Sequence, residues 1–115
     1  MKLLQINPVL RTSTSTGRII REIGDAAMAS GWESYIAYSA GRDGKMECTS
    51  RTVPVGDRMS VAFHGLATRL FDRHGLASVE ATKKFIKEIE RINPDVIHIH
   101  NIHGYFLNYK ILFDW

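Results

Sequence analysis

The fold of this chain is decided by one stretch near its end, residues 93–104, which reads NPDVIHIHNIHG. Pro94 ends the element before it, because proline lacks the amide that a helix needs and pushes the preceding residue toward extended angles. Residues 96–100 are then short, β-branched and uncharged, which is typical of a parallel strand buried on both faces. Side chains alternate along a strand, so His98 and His100 share one face, with His100 nearer the carboxyl end.

The loop after this strand is where we expect a ligand. In open α/β sheets, ligands bind beyond the carboxyl ends of the strands. His100 is therefore a candidate catalytic residue, and Asn101 and His103 in the following loop are candidate substrate-binding residues. His98 lies deeper on the same face, which is more typical of a core histidine with satisfied hydrogen bonds. We expect His98 to be more buried than His100.

Length and composition indicate one small globular domain or part of a larger one. The chain has 115 residues, of which 44% are hydrophobic and 23% charged. No apolar run approaches the roughly 20 residues of a membrane span, and the start of the chain is too short and too polar for a signal peptide. Cys48 is the single cysteine, which is compatible with a reducing compartment. These features predict a cytoplasmic protein.

Positive charge is concentrated at the start of the chain. The formal net charge is +3, and four basic residues precede the first acid, Glu22: Lys2, Arg11, Arg18 and Arg21. Scattered solvated arginines are the simpler interpretation. The alternatives are phosphate groups or a peripheral contact with an anionic membrane at the inner face of the cell. Nucleic acid is not expected as a partner, because no nucleic-acid motif accompanies the charge.

The other elements follow from apolar periodicity and turn residues. Strands are predicted at 2–7, at 33–39 and, more weakly, at 49–55, and a polar turn at 41–45. Helices are predicted from near Thr16 to near Ser30, from Asp57 to about Phe71, from Ser78 to Ile92, and from Phe106 to Trp115. This order predicts an α/β fold: a Rossmann-like, open, largely parallel sheet with helices on both faces.

The turn around Gly17 is a second candidate site. A loop rich in hydroxyls, residues 11–17, precedes the first helix, and a glycine at a helix start lets backbone amides approach a phosphate. The turn matches neither the G-x-G-x-x-G nor the G-x-x-x-x-G-K-[ST] pattern, so a plain helix cap explains it equally well. Gly17 and Arg18 are the candidate substrate-binding residues here.

Metal binding is a weaker alternative. The spacing of His98, His100 and His103 is similar to the H-x-H-x-D-H motif of metallo-β-lactamase-like hydrolases, but Ile102 stands at the position of the aspartate. Zinc needs three or four ligands with ordered partners behind them. We therefore predict no metal site.

Three stretches carry a resemblance to a known family. They are MKLLQIN at 1–7 with STGRI at 15–19, GWESY at 31–35, and NPDVIHIHN at 93–101, of which the last is the most specific. On these motifs the chain resembles the N-terminal part of a GT-B glycosyltransferase, in particular the retaining enzymes of family four. The stretch TRLFDRHG at 68–75 is similar to bacterial members that build surface polysaccharides.

The resemblance implies a Rossmann-like acceptor-side domain facing a second domain that holds most of a nucleotide-sugar donor. The second histidine of the family's H-x-H touches the donor sugar near the reacting carbon, and it matches His100. The glycine-bearing first loop approaches the donor diphosphate and matches Gly17. The implied activity is transfer of the sugar to a saccharide or lipid-linked acceptor with retained configuration. No metal or cofactor is required, since the nucleotide sugar is a substrate.

We also expect the chain to be part of a longer enzyme. Its last predicted helix has no cap or tail after Trp115, and the donor-binding domain implied by the resemblance is absent from residues 1–115. The chain alone is predicted to be inactive. Two alternatives stay open: a non-catalytic α/β nucleotide- or carbohydrate-binding module, and a metal-dependent hydrolase fragment.

Overall fold

A computed structural model of the chain describes residues 1–43, 47–56, 79–103 and 106–115, together with Leu66. The described residues form four strands, β1 (Lys2–Ile6), β2 (Glu33–Ser39), β3 (Arg51–Val55) and β4 (Val96–Ile99). They also form four helices, α1 (Ser15–Ala29), α2 (Ala40–Asp43), α3 (Val79–Ile92) and α4 (Tyr109–Asp114). The helix predicted from Asp57 to about Phe71, and the stretch 68–75, lie outside the described residues.

The four strands form one parallel sheet in the order β3-β2-β1-β4. The predicted α/β class, with its Rossmann-like open parallel sheet, is confirmed. The chain places β2 and then β3 on one side of β1, and returns to place β4 on the other side. The sheet therefore has a topological switch point between β1 and β4, and all four carboxyl ends lie at the same edge.

The two faces of the sheet are covered by different helices. On one face, the side chains of Leu4, Ile6 and Ala37 form a buried cluster with residues of α3 and α4, among them Phe85, Ile89 and Leu112. On the other face, Ile36 and Tyr38 pack with Leu10 and with Ile20 of α1. Alternation along each strand explains the division, because neighbouring residues such as Ile36 and Ala37 point to opposite faces.

The helix ends follow from local capping chemistry. Thr14 is the N-cap of α1, and its hydroxyl oxygen accepts a hydrogen bond from the backbone N–H of Gly17 at 3.1 Å. Asn108 caps α4 in the same way through the N–H of Ile111, so this helix begins at Tyr109 and not at 106 as predicted. Before the cap, Phe106 and Leu107 are already buried.

The polar turn predicted at 41–45 is partly helical. Residues 40–43 make the single turn of α2, and residues 44–46 lie outside the description. The guanidinium of Arg11 donates to the carbonyl oxygen of Arg42 at 3.3 Å, which satisfies an acceptor that the end of so short a helix leaves open.

The prediction that β4 is buried on both faces is wrong. All four of its residues are exposed, with Val96, Ile97 and Ile99 each retaining between 36% and 39% of their accessible surface. The physical reason is position: β4 is an edge strand, and α1 packs over β1 and β2. In the part of the chain that the structure describes, no helix is long and apolar enough to cross a membrane.

Candidate functional site

The predicted site residues lie on elements that begin or end at the switch-point edge of the sheet. The backbone N–H groups of His100 and Asn101 donate to the carbonyl oxygen of Ile6, the last residue of β1, at 3.0 and 3.4 Å. The carboxyl ends of β1 and β4 are thereby joined. Helix α1 follows β1 after a short loop, so its N-terminus belongs to the same edge of the sheet. The topology thus brings the His100 loop and the α1 start to one edge, as the sequence predicted.

His98 and His100 form a stacked pair on the α1 face of β4. Their ring centroids are 4.0 Å apart and the ring planes differ by 22°. The predicted order of burial is wrong, because His98 is exposed while His100 is only partly exposed. His98 lies on the edge strand β4, next to Gln5 of β1. Burial lowers the pKa of His100 below the ordinary histidine value, and repulsion from His98 lowers this pKa further.

Gln5 lies within hydrogen-bond distance of His100, a role that was not predicted from the sequence. Its side chain is fully buried in the middle of β1, and its Oε1 lies 2.8 Å from His100 Nε2. Its Nε2 donates to the backbone carbonyl oxygen of Ile20 in α1 at 2.8 Å. Gln5 therefore links β4 to α1 through β1. The sequence did contain a signal for this role, because Gln5 is a polar residue in the centre of an apolar strand. A buried polar side chain requires a hydrogen-bond partner.

Gly17 is required by the packing of its own loop. A Cβ at this position would overlap the carbonyl oxygen of Arg11 and would lie 2.7 Å from the hydroxyl of Thr14. The Gly17 amide is already donated to that hydroxyl. Within the described residues, the amides of Ser15 and Thr16 have no acceptor. These two amides, and not that of Gly17, are the helix-start donors available to an anion.

Arg18 is the basic residue that the site leaves available. It lies in the first turn of α1 and is exposed, and its guanidinium has no partner among the described residues. Arg21, one turn later, donates to the carbonyl oxygens of Leu10 and Glu47 and so ties two loops together. Of these two arginines, only Arg18 keeps all its donors for a ligand.

Asn101 and His103 form a small turn after β4. The side-chain oxygen of Asn101 accepts the backbone N–H of His103 at 2.7 Å, which closes an Asx turn. The His103 side chain is exposed. The Asn101 side chain therefore shapes the loop, and among the described residues its amide N–H groups have no acceptor.

Among the described residues at this edge, two buried side-chain oxygen atoms lack hydrogen-bond partners. They are Oδ1 of Asn7, directly after β1, and Oγ of Ser39, the last residue of β2. Leaving a buried acceptor unpaired costs about 1–3 kcal/mol. Each of these two atoms can accept a hydrogen bond from water or from a ligand. Asn7 lies at the switch point itself.

A groove of about 420 Å³ lies elsewhere, between β3 and α3. Its floor includes Val53, Val55 and Phe85, and its polar border is made by Glu80 and Lys84. These charged residues are exposed on one helix and do not converge on a point. Since switch points of α/β sheets are preferred ligand sites and polar groups from β1 and from the loop after β4 lie there, we place the candidate site at the switch point.

The described residues contain no group of three or more His, Cys, Asp or Glu arranged to hold a metal ion. Comparison with protein-family models, with curated proteins and with solved structures finds no match for this chain. Its function must therefore be argued from the site.

Proposed function

We propose that this chain is the acceptor-side domain of a retaining glycosyltransferase that moves a sugar from a nucleotide-sugar donor to a saccharide or lipid-linked acceptor, in the synthesis of bacterial surface polysaccharide. One observation carries the proposal. His100, Asn101 and the first turn of α1 all lie at the switch point between β1 and β4, where open α/β sheets bind nucleotides.

Each part of the site has a physical role in this reaction. Glycosyl transfer places negative charge on a departing nucleotide diphosphate. The free amides at the start of α1 and the available guanidinium of Arg18 would stabilise that charge. His100, held by Gln5, would contact the sugar. Catalysis also requires the second domain, because positioning both substrates supplies about 7 to 11 kcal/mol of the barrier.

The proposal also includes where in the cell the enzyme works. We place the enzyme in the cytoplasm, in peripheral contact with the inner face of the cell membrane when the acceptor is lipid-linked. Arg18 is exposed at the carboxyl edge of the sheet, where an anionic surface or a phosphate group could meet it.

A non-catalytic nucleotide- or carbohydrate-binding module is the second candidate. It is favoured by the environment of His100, whose Nε2 is occupied by a neutral amide and not by a carboxylate. A histidine held in this way is suited to hydrogen bonding. A charged partner, by contrast, would strengthen it as a base.

The proposal is tested by titrating the ¹⁵N-labelled chain with UDP-glucose and GDP-mannose while recording amide shifts. We expect the shifts to be confined to residues 15–18 and 100–103. Affinity should be no tighter than about millimolar, which corresponds to roughly −4 kcal/mol. The chain alone should show no sugar transfer.

The matched control compares Arg18→Ala with Lys87→Ala. Both remove one exposed positive charge, but Lys87 lies on α3, the helix that packs on the other face. Arg18→Ala should weaken binding several-fold and Lys87→Ala should leave it unchanged. Equal weakening would mean that only net charge matters. Micromolar binding, or turnover by this chain, would mean that the donor site lies within these residues and that the acceptor-side assignment is wrong.

A further inference from the structure

The side-chain amide of Gln5 has only one orientation that satisfies its surroundings. Its Nε2 lies 2.8 Å from the carbonyl oxygen of Ile20, and a carbonyl oxygen can only accept. Turning the amide over would bring two acceptor oxygens together in a fully buried position. The Ile20 carbonyl therefore fixes which end of Gln5 faces β4.

The orientation of Gln5 determines the tautomer of His100. Since the amide oxygen of Gln5 faces the ring, the ring nitrogen 2.8 Å away must carry a hydrogen. In neutral histidine one ring nitrogen is a donor and the other an acceptor. His100 with a hydrogen on Nε2 therefore has an unprotonated Nδ1. Within the described part of the chain, Nδ1 of His100 has no hydrogen-bond partner.

We propose that Gln5 is a positioning residue that holds His100 in the Nε2–H tautomer, so that Nδ1 accepts a hydrogen bond from a hydroxyl group of a ligand at the switch point. The identity of that ligand rests on the proposed function, whereas the tautomer does not. The ligand class is a compound with a free hydroxyl donor, such as a sugar. For the neutral ring, an anionic group is excluded as the partner of Nδ1, because two acceptors would meet there.

The tautomer is measured directly by long-range ¹H–¹⁵N correlation on the chain labelled with ¹⁵N-histidine, at a pH where His100 is neutral. We expect His100 to show a single tautomer with the hydrogen on Nε2. The exposed His103 provides the reference and should show a mixture of both tautomers. A hydrogen on Nδ1 of His100, or a mixture equal to that of His103, would overturn the proposal without any substitution being made.

The variant Gln5→Leu tests the cause. It removes the amide while keeping a side chain of similar size, and the His100 tautomer ratio should then move to that of His103. Gln5→Glu retains an acceptor toward the ring and, with its carboxyl group protonated, a donor toward the Ile20 carbonyl, so it should preserve the Nε2–H form. If Gln5→Leu folds and His100 remains a single tautomer, Gln5 is not the residue that holds it. If Gln5→Leu does not fold, the Gln5→Glu spectrum decides the question.

The ligand is tested by comparing UDP-glucose with UDP on the same labelled chain. UDP-glucose should shift the Nδ1 resonance of His100, and UDP should not. Amide shifts at residues 15–18 without any change at Nδ1 would overturn the assignment of the hydroxyl contact and leave the proposed function standing. No shift with either compound would overturn both the contact and the proposed function, while the tautomer result would stand by itself.

Discussion

The two faces of the sheet differ in what they are built to do. The face covered by α3 and α4 is built on one apolar cluster that includes Leu4, Ile6 and Phe85, and its buried polar residues include Thr82, whose hydroxyl accepts from the backbone N–H of Asn108 at 2.8 Å. The face covered by α1 mixes apolar packing with buried polar groups, among them Gln5 and Ser34. One β-strand, β1, serves both faces through alternate residues. The difference teaches that one strand can supply an apolar cluster on one face and buried hydrogen bonds on the other.

The largest effect is expected on the apolar face. Phe85 of α3 is buried against the sheet, so Phe85→Ala should remove about 3–5 kcal/mol of the free energy of unfolding through lost burial and a residual cavity. Urea unfolding measures this loss. The control is Lys84→Ala, which changes an exposed neighbour on the same helix and should alter stability by less than about 0.5 kcal/mol. If Phe85→Ala lowers the free energy of unfolding no more than the control does, the apolar cluster is not the main source of stability.

A smaller effect is expected where α1 packs on the polar face. A Cβ on Gly24 would overlap Oγ of Ser50 and lie 3.0 Å from Oγ of Ser34, and these two hydroxyls are hydrogen-bonded at 2.9 Å. Gly→Ala within a helix normally stabilises by about 0.5–1 kcal/mol. Here overpacking should reverse the sign, with a loss of about 1–3 kcal/mol in urea unfolding.

Ser50→Ala provides the matched background for this test. Removing the Ser50 hydroxyl makes room for the new methyl group, so Gly24→Ala should cost much less in Ser50→Ala than in the unmodified chain. A double-mutant cycle measures the difference. If both backgrounds show the same loss, the contact between α1 and the polar face is looser than the structure indicates.

The sequence predicted most of the strands and helices of the described residues well, because those depend on local signals, while the site itself stays a prediction. Pro94, the apolar periodicity of α3 and the parallel strands were sufficient for the α/β class. Burial within β4 was not predictable, since it depends on how far α1 extends over the sheet. The role of Gln5 was not predictable either, because its partner His100 lies 95 positions away along the chain.

The smallest effect concerns the protonation of His100, on the same face of the sheet as α1. The pKa of His100 is lowered, first by burial and then by His98, so protonation favours the unfolded chain. The contribution of neutral His100 to stability is therefore complete above pH 6.5, the ordinary histidine pKa. It is lost as the pH falls through the lowered pKa of the folded state. Because His100 is partly exposed, solvent weakens this effect on the free energy of unfolding, and an NMR titration of the His100 ring is the better measurement.

The variant His98→Ala isolates the second cause. It removes the stacked ring 4.0 Å away, and with it the repulsion that opposes protonation of His100, so the pKa of His100 should rise toward the ordinary value. Burial is the larger cause, and the Gln5 side chain that contacts the ring at 2.8 Å remains, so some lowering of the His100 pKa should persist. His103→Ala is the control, because it removes a histidine of the same site that is outside the stack, and the pKa of His100 should not change. A His100 pKa that is unaffected by His98→Ala would show that the two rings do not sense each other's charge. The lowered pKa of His100 would then be due to burial alone.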